Sequence, residues 1–226
     1  MRERLIRELG DLAHSRFLVY LMGPYEAFDV ESVVRNAESS EKAGDPTAIP
    51  RNVDFGALVG SDVDLDRDEA VLDLLLYVRD RLRTDPGVNA FLAIDVDFPL
   101  EEMDAATQSV EFAMASNAVV YVVPEVGDNL GVGIEVGAVL EAIFQEQDEG
   151  AETEDDLQTN ERVLFVHESG VRSAMIAAVQ DRWDARIYAY ENREDLVSQV
   201  RLFVRDIARR ELRGDLPSLD DDSDAT

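Results

Sequence analysis

The chain has 226 residues, 46% of them apolar, enough for one buried core in an ordinary folded domain. Its 49 acidic residues against 21 basic ones give a formal charge of −28, which would repel nucleic-acid phosphates and anionic lipid. It contains no cysteine, which excludes disulfides, thiolate zinc sites and a cysteine nucleophile.

In chain order, "MRERLIRELGDLAHSR" carries charges at helical spacing and is not a signal peptide. "RFLVYLMG" (16–23) is the first strand-length apolar run, followed by residues 26–66, rich in Asp, Gly, Pro and Ser and without a strong period. That segment reads as a long loop, either a functional flap or an insertion. An amphipathic helix is predicted at 67–85, a strand at "AFLAIDV" (90–96), a helix at 101–115 and a strand at "AVVYVVP" (118–124). Helix 131–147, strand "RVLFVHE" (162–168), helix 171–182, strand "RIYAYEN" (186–192) and helix 193–212 complete the series. Residues 148–160 are acidic and weakly apolar, a solvated loop, and 213–226 reads as an acidic disordered tail behind a single domain, 1–212. Trp183 is expected in the core.

Continuous apolar runs suit strands buried on both faces, and their alternation with helices predicts a doubly wound, flavodoxin/Rossmann-like α/β domain of five parallel strands in the order 2-1-3-4-5. No apolar run reaches the roughly 18 residues of a membrane span, so the expectation is a soluble, cytoplasmic protein. Lys42 is the one lysine and the acid is spread along the whole chain, a composition that resembles proteins adapted to a high-salt cytoplasm. Molar salt shrinks the screening length to about 3 Å and removes most of the self-repulsion.

In an open parallel sheet, ligands bind beyond the carboxyl ends of the strands, where strand order reverses. The relevant loops are "GPYEAF" (23–28) and "EVGDNLGVGIE" (125–135). Gly131 and Gly133 let a ligand approach the backbone, and Glu135 falls in the first turn of the next helix, where the dipole favours its ionised form. An ionised carboxylate beside a sugar-sized cleft can attack an anomeric carbon. Asp95 and Asp97, after the second strand, could contact a ribose hydroxyl or cap the next helix; Tyr25 could stack on a base or pack its own loop. His167 stands at the ligand edge but could equally be a satisfied structural histidine, and neither it nor His14 lies near a Gly-x-Ser-x-Gly turn.

"NLGVGIEVG" (129–137), "YLMGPYEAF" (20–28) and "ASNAVVYVVP" (115–124) together resemble the nucleoside 2-deoxyribosyltransferase family, over residues 17–145 in outline. The specific part is an acidic residue, a glycine-bearing turn, a glutamate six residues on and a glycine two beyond. The resemblance implies that Glu135 is the nucleophile forming a covalent deoxyribosyl intermediate, and that Tyr25 packs on the base. Gly23, Pro24, Asp128, Asn129, Gly131, Gly133 and Asn117 would line the substrate site. Two positions depart from the pattern: Asn129 and Asn117 stand where the family has Asp, and an amide cannot protonate a leaving base.

The expected activity is hydrolysis or 2-deoxyribosyl transfer at the N-glycosidic bond of a nucleoside or nucleotide, with no metal and no redox cofactor. The alternatives are a catalytically lapsed nucleotide-binding module, or an NAD-cleaving domain of the TIR type. A homodimer or larger assembly is expected, because helix 131–147 is apolar around much of its circumference.

Overall fold

The computed structural model describes residues 1–24, 65–98, 103, 105–125, 161–171 and 186–219. Its elements are α1 (Arg2–Leu9), β1 (His14–Met22), α2 (Leu65–Thr84), β2 (Val88–Phe91), α3 (Ala105–Met114), β3 (Ala118–Val123), β4 (Val163–Glu168), β5 (Arg186–Tyr190) and α4 (Arg193–Arg213). The five strands form one sheet, ordered β2-β1-β3-β4-β5, and every pairing is parallel. This is the doubly wound α/β architecture predicted from the alternation of apolar runs. Among the described residues no helix is long and apolar enough to cross a membrane.

The strands hold because both faces are covered. All six residues of β3 and all four of β2 are buried, and each fully buried Val, Leu or Phe contributes roughly 1.5–3 kcal/mol by leaving water. Side chains alternate between faces. Val19 and Leu21 of β1 join Val120, Val122, Leu164 and Val166 in an aliphatic layer under α2 and α4. The opposite layer is aromatic: Tyr20 stacks on Phe91 at 5.1 Å, Phe112 of α3 meets both edge-on, and Tyr121 stacks on Phe165 at 4.8 Å. Leu5 of α1 is buried in the same layer.

Helix α4 follows from its sequence at both ends. The Asn192 side chain accepts from the backbone N–H of Asp195, and the Asp195 carboxylate accepts from the N–H of Glu191, closing the first turn. Leu196, Val197, Val200, Phe203, Val204 and Ile207 recur three and four apart on its buried face. Gly214, at φ 76°, supplies the left-handed residue that ends the helix.

Three expectations are corrected. Strand two stops at Phe91, and residues 93–95 turn as a 3-10 helix because the Asp95 carboxylate accepts the N–H of Leu92 at 2.9 Å. The strand expected at 186–192 ends at Tyr190, and it is not buried on both faces, since Tyr188 and Ala189 are exposed. Residues 213–219 are not a disordered tail: Leu216 is buried, and the Pro217 carbonyl accepts from the Arg162 guanidinium. The expected loop 26–66 reaches one residue beyond the start of α2, and its residues up to 64 lie outside the described ones.

Candidate functional site

The sheet changes direction between β1 and β3: β2 was added on one side of β1, and β3, β4 and β5 on the other. Gly23 and Pro24 leave the carboxyl end of β1 there, and Pro124 and Glu125 leave that of β3. Gly23 is demanded by packing. A Cβ at this position would lie 2.9 Å from the Leu75 side chain of α2 and 3.2 Å from the Val122 carbonyl, so glycine lets the helix close on the crevice floor. Pro24 is buried beside it.

Next to this point, the ends of β3 and β4 are tied together. The backbone N–H of Glu125 donates to the Glu168 carboxylate at 2.8 Å. The turn after β4 is held by Val171 N–H donating to the Glu168 carbonyl, and by both the N–H and the hydroxyl of Ser169 donating to the Tyr190 carbonyl at 2.9 and 3.0 Å. Gly170 provides the space for Glu125, since a Cβ there would approach that carboxylate to 3.2 Å. Among the described residues the Glu125 carboxylate has no hydrogen-bond partner. Tyr190 is 3% exposed, and its hydroxyl has no partner either. Burial first, and then the charge of Glu168, push the phenol above its usual pKa.

The predicted site residues divide. Gly23 and Pro24 stand at the reversal point. Asp95 is also at the carboxyl edge, but its carboxylate is already committed: it accepts from Leu92 N–H, pairs with Arg79, and lies 3.5 Å from the Arg83 guanidinium. Burial lowers the pKa of Arg83, partly opposed by Asp95. Asp95 does not cap the next helix, α3, either: its carboxylate closes the 3-10 turn 93–95.

Asn117 lies at the other end of the sheet. It precedes β3 beside Leu18, five residues before Gly23, which is roughly 17 Å along the strand at about 3.3 Å per residue. It is 2% exposed. Its Oδ1 accepts from the Arg2 guanidinium and the Leu18 N–H, both at 2.9 Å, and its Nδ2 donates to the Glu211 carboxylate at 2.9 and 3.1 Å. Arg162, buried and paired with Glu211, donates to the Asn117 carbonyl at 3.0 Å. These partners make Asn117 a clasp of the amino edge and not a substrate residue. A groove of about 590 Å³ opens at the same end between Phe17, Val88, Val204 and Leu212. It lies away from the strands' carboxyl ends, and its Arg205 is paired with Asp85.

His167 is half-buried at the end of β4, with Nδ1 2.9 Å from the Glu168 carbonyl, which is the satisfied arrangement. Tyr25, Asp128, Asn129, Gly131, Gly133 and Glu135 lie outside the described residues, as do helices 131–147 and 171–182 apart from Val171, and Trp183. Among the described residues no group of three or more His, Asp or Glu is placed to hold a metal ion. Sequence reasoning missed Glu125 and Glu168, although their signal was available, since each is the first acidic residue at the end of a predicted strand.

Residues 2–220 match the family model described as Domain of unknown function (DUF7509). No curated protein matches the chain.

Proposed function

We propose that this chain, which belongs to the family described as Domain of unknown function (DUF7509), breaks or exchanges the N-glycosidic bond of a nucleoside or nucleotide held over the carboxyl ends of β1 and β3. The observation that carries the reading is the strand order, whose reversal falls between the two strands that lead into "GPYEAF" and "GDNLGVGIE". Glu135 is the nucleophile in this reading. Its carboxylate oxygen bonds to the anomeric carbon as the bond from that carbon to the base nitrogen breaks, and the bonding pair leaves with the base. Water or a second base then attacks the same carbon and frees the carboxylate.

Asn129 carries no acidic proton, so the leaving base takes its proton from solvent and turnover is slow. The same amide favours one second reading, a module that binds the nucleotide without cleaving it. Incubation in 2 M KCl with a panel of nucleosides and nucleotides, followed by chromatography of free base, separates the two. Wild type is expected to release base, and Glu135→Gln to do so at least about 10³-fold more slowly with affinity changed less than about tenfold. Equal release by both proteins, or none by wild type across the panel, sinks the enzyme reading. Asn129→Asp is expected to accelerate release in an enzyme and to do nothing in a binder.

A further inference from the structure

Asp95 was the sequence's candidate for holding a ribose hydroxyl, and the structure takes it out of that role by committing its carboxylate to Leu92, Arg79 and Arg83. Two other carboxylates stand at the same edge, Glu125 beside the reversal point and Glu168 one strand away from it. Glu168 uses one oxygen for the Glu125 N–H, and among the described residues its second oxygen and the whole Glu125 carboxylate lack hydrogen-bond donors. Glu125 is exposed and Glu168 half-buried, so water can serve these oxygens; as acceptor-only groups they are equally open to a ligand that brings O–H or N–H groups.

An independent observation comes from β5. Tyr190 pairs in register with Glu168, so the two side chains leave the sheet on the same face. The phenol lies close enough to feel the Glu168 charge. A buried hydroxyl without a partner costs roughly 1–3 kcal/mol, and each such group in a folded protein calls for an explanation. The Tyr190 side chain lies in the aliphatic layer and its hydroxyl is closed to solvent, so a ligand oxygen completes it where the neighbouring side chains part.

We infer that Glu168 and Glu125, with the Tyr190 hydroxyl, form the subsite that receives the sugar hydroxyls of the ligand. This rests on reading the carboxyl edge as the nucleoside site, and it assigns the sugar end of that ligand to β4 and β5. The carboxylates accept from the sugar O–H groups, and the phenol donates to a sugar oxygen. Gly170 keeps the Glu125 carboxylate in place by leaving room for it.

The test is equilibrium dialysis in 2 M KCl with labelled adenosine, 2′-deoxyadenosine, AMP, free adenine and Mg²⁺, on wild type, Glu168→Gln and Tyr190→Phe. Glutamine retains an oxygen for the Glu125 N–H, so the first variant keeps the β3–β4 tie. Glu168→Gln is expected to weaken the sugar-bearing probes at least tenfold and to leave any adenine binding unchanged. Tyr190→Phe removes an unsatisfied hydroxyl, so its melting temperature should equal or exceed that of wild type while sugar-probe affinity falls at least fivefold. The inference is overturned if either variant binds as wild type does, if Tyr190→Phe loses binding only together with stability, or if Mg²⁺ binds and no sugar probe does. Absence of any probe binding to wild type overturns it as well. Base release that persists in Glu168→Gln at the wild-type rate removes this subsite and leaves the Glu135 reading standing; sugar binding lost in Glu168→Gln, without base release by wild type, does the reverse.

Discussion

At the amino ends of β1, β3 and β4, the Asn117 amide has its oxygen and its nitrogen both engaged, by Arg2, Leu18 and Glu211. At the carboxyl ends of β3, β4 and β5 the Glu125 carboxylate faces Gly170, and the Tyr190 hydroxyl faces no donor or acceptor among the described residues. Both ends carry charged and polar residues: the Asn117 cluster uses its groups up, although the buried Asn89 Oδ1 near the amino ends lacks a partner, whereas Glu125 and the Tyr190 hydroxyl at the carboxyl ends are left over. Polar residues that satisfy one another hold a fold, whereas polar residues left unsatisfied beside a strand reversal are available to a ligand. The contrast also separates residues that the sequence had grouped together, since Asn117 and Gly23 belong to opposite ends of the molecule.

The largest effect is expected from the amino edge. Arg162→Ala leaves Glu211 buried without its cation and frees the Asn117 and Pro217 carbonyls, at a cost of about 3–5 kcal/mol read by denaturant unfolding in molar KCl. A loss under about 1 kcal/mol would remove the distinction between the two ends. Asn117→Asp comes next. It replaces the donor facing Glu211 with a second carboxylate, so stability should fall by about 1.5–3 kcal/mol, the worth of a hydrogen bond to a charged group. Ligand binding at the carboxyl edge should be unchanged, and a selective loss of binding with stability intact would return Asn117 to the site. The smallest effect is expected at Gly170, whose φ is not in the left-handed region. Its replacement by Ala moves only the flexible end of Glu125, so stability should change by less than about 0.5 kcal/mol, as for surface substitutions in general. Affinity for adenosine should fall two- to threefold, and a change in melting temperature without a change in affinity would make the glycine merely structural.

The fold was legible because its signal is physical and local. Runs such as "AVVYVVP" are short, β-branched and apolar on consecutive residues, which suits a strand covered on both faces, and β3 is buried at all six positions. Strand ends were less legible, as at β2, where one hydrogen bond from the Leu92 N–H to the Asp95 carboxylate turns the chain. The site was partly legible, since position after a strand marks the ligand edge, and Gly23 and Pro24 fall there. Asn117 precedes its strand, so direction alone assigns it to the other edge. Its role depends on Glu211, 94 residues later, which no local pattern reveals. Glu125, Glu168 and Tyr190 form a group only through strand register, which is likewise a property of the assembled sheet.

The Asn117 clasp also orders events in time. It gathers Arg2, Leu18, Asn117, Arg162 and Glu211, drawn from nearly the whole length of the chain. A nascent chain emerging from its amino terminus can pair β1 with β3 long before residue 211 has been synthesised, but until then the Asn117 nitrogen and the Arg162 guanidinium have no carboxylate to meet. Contacts of such long sequence separation form late and are slow to assemble. The last turn of α4 is therefore the latch of the molecule: the amino edge closes only once Glu211 has been made.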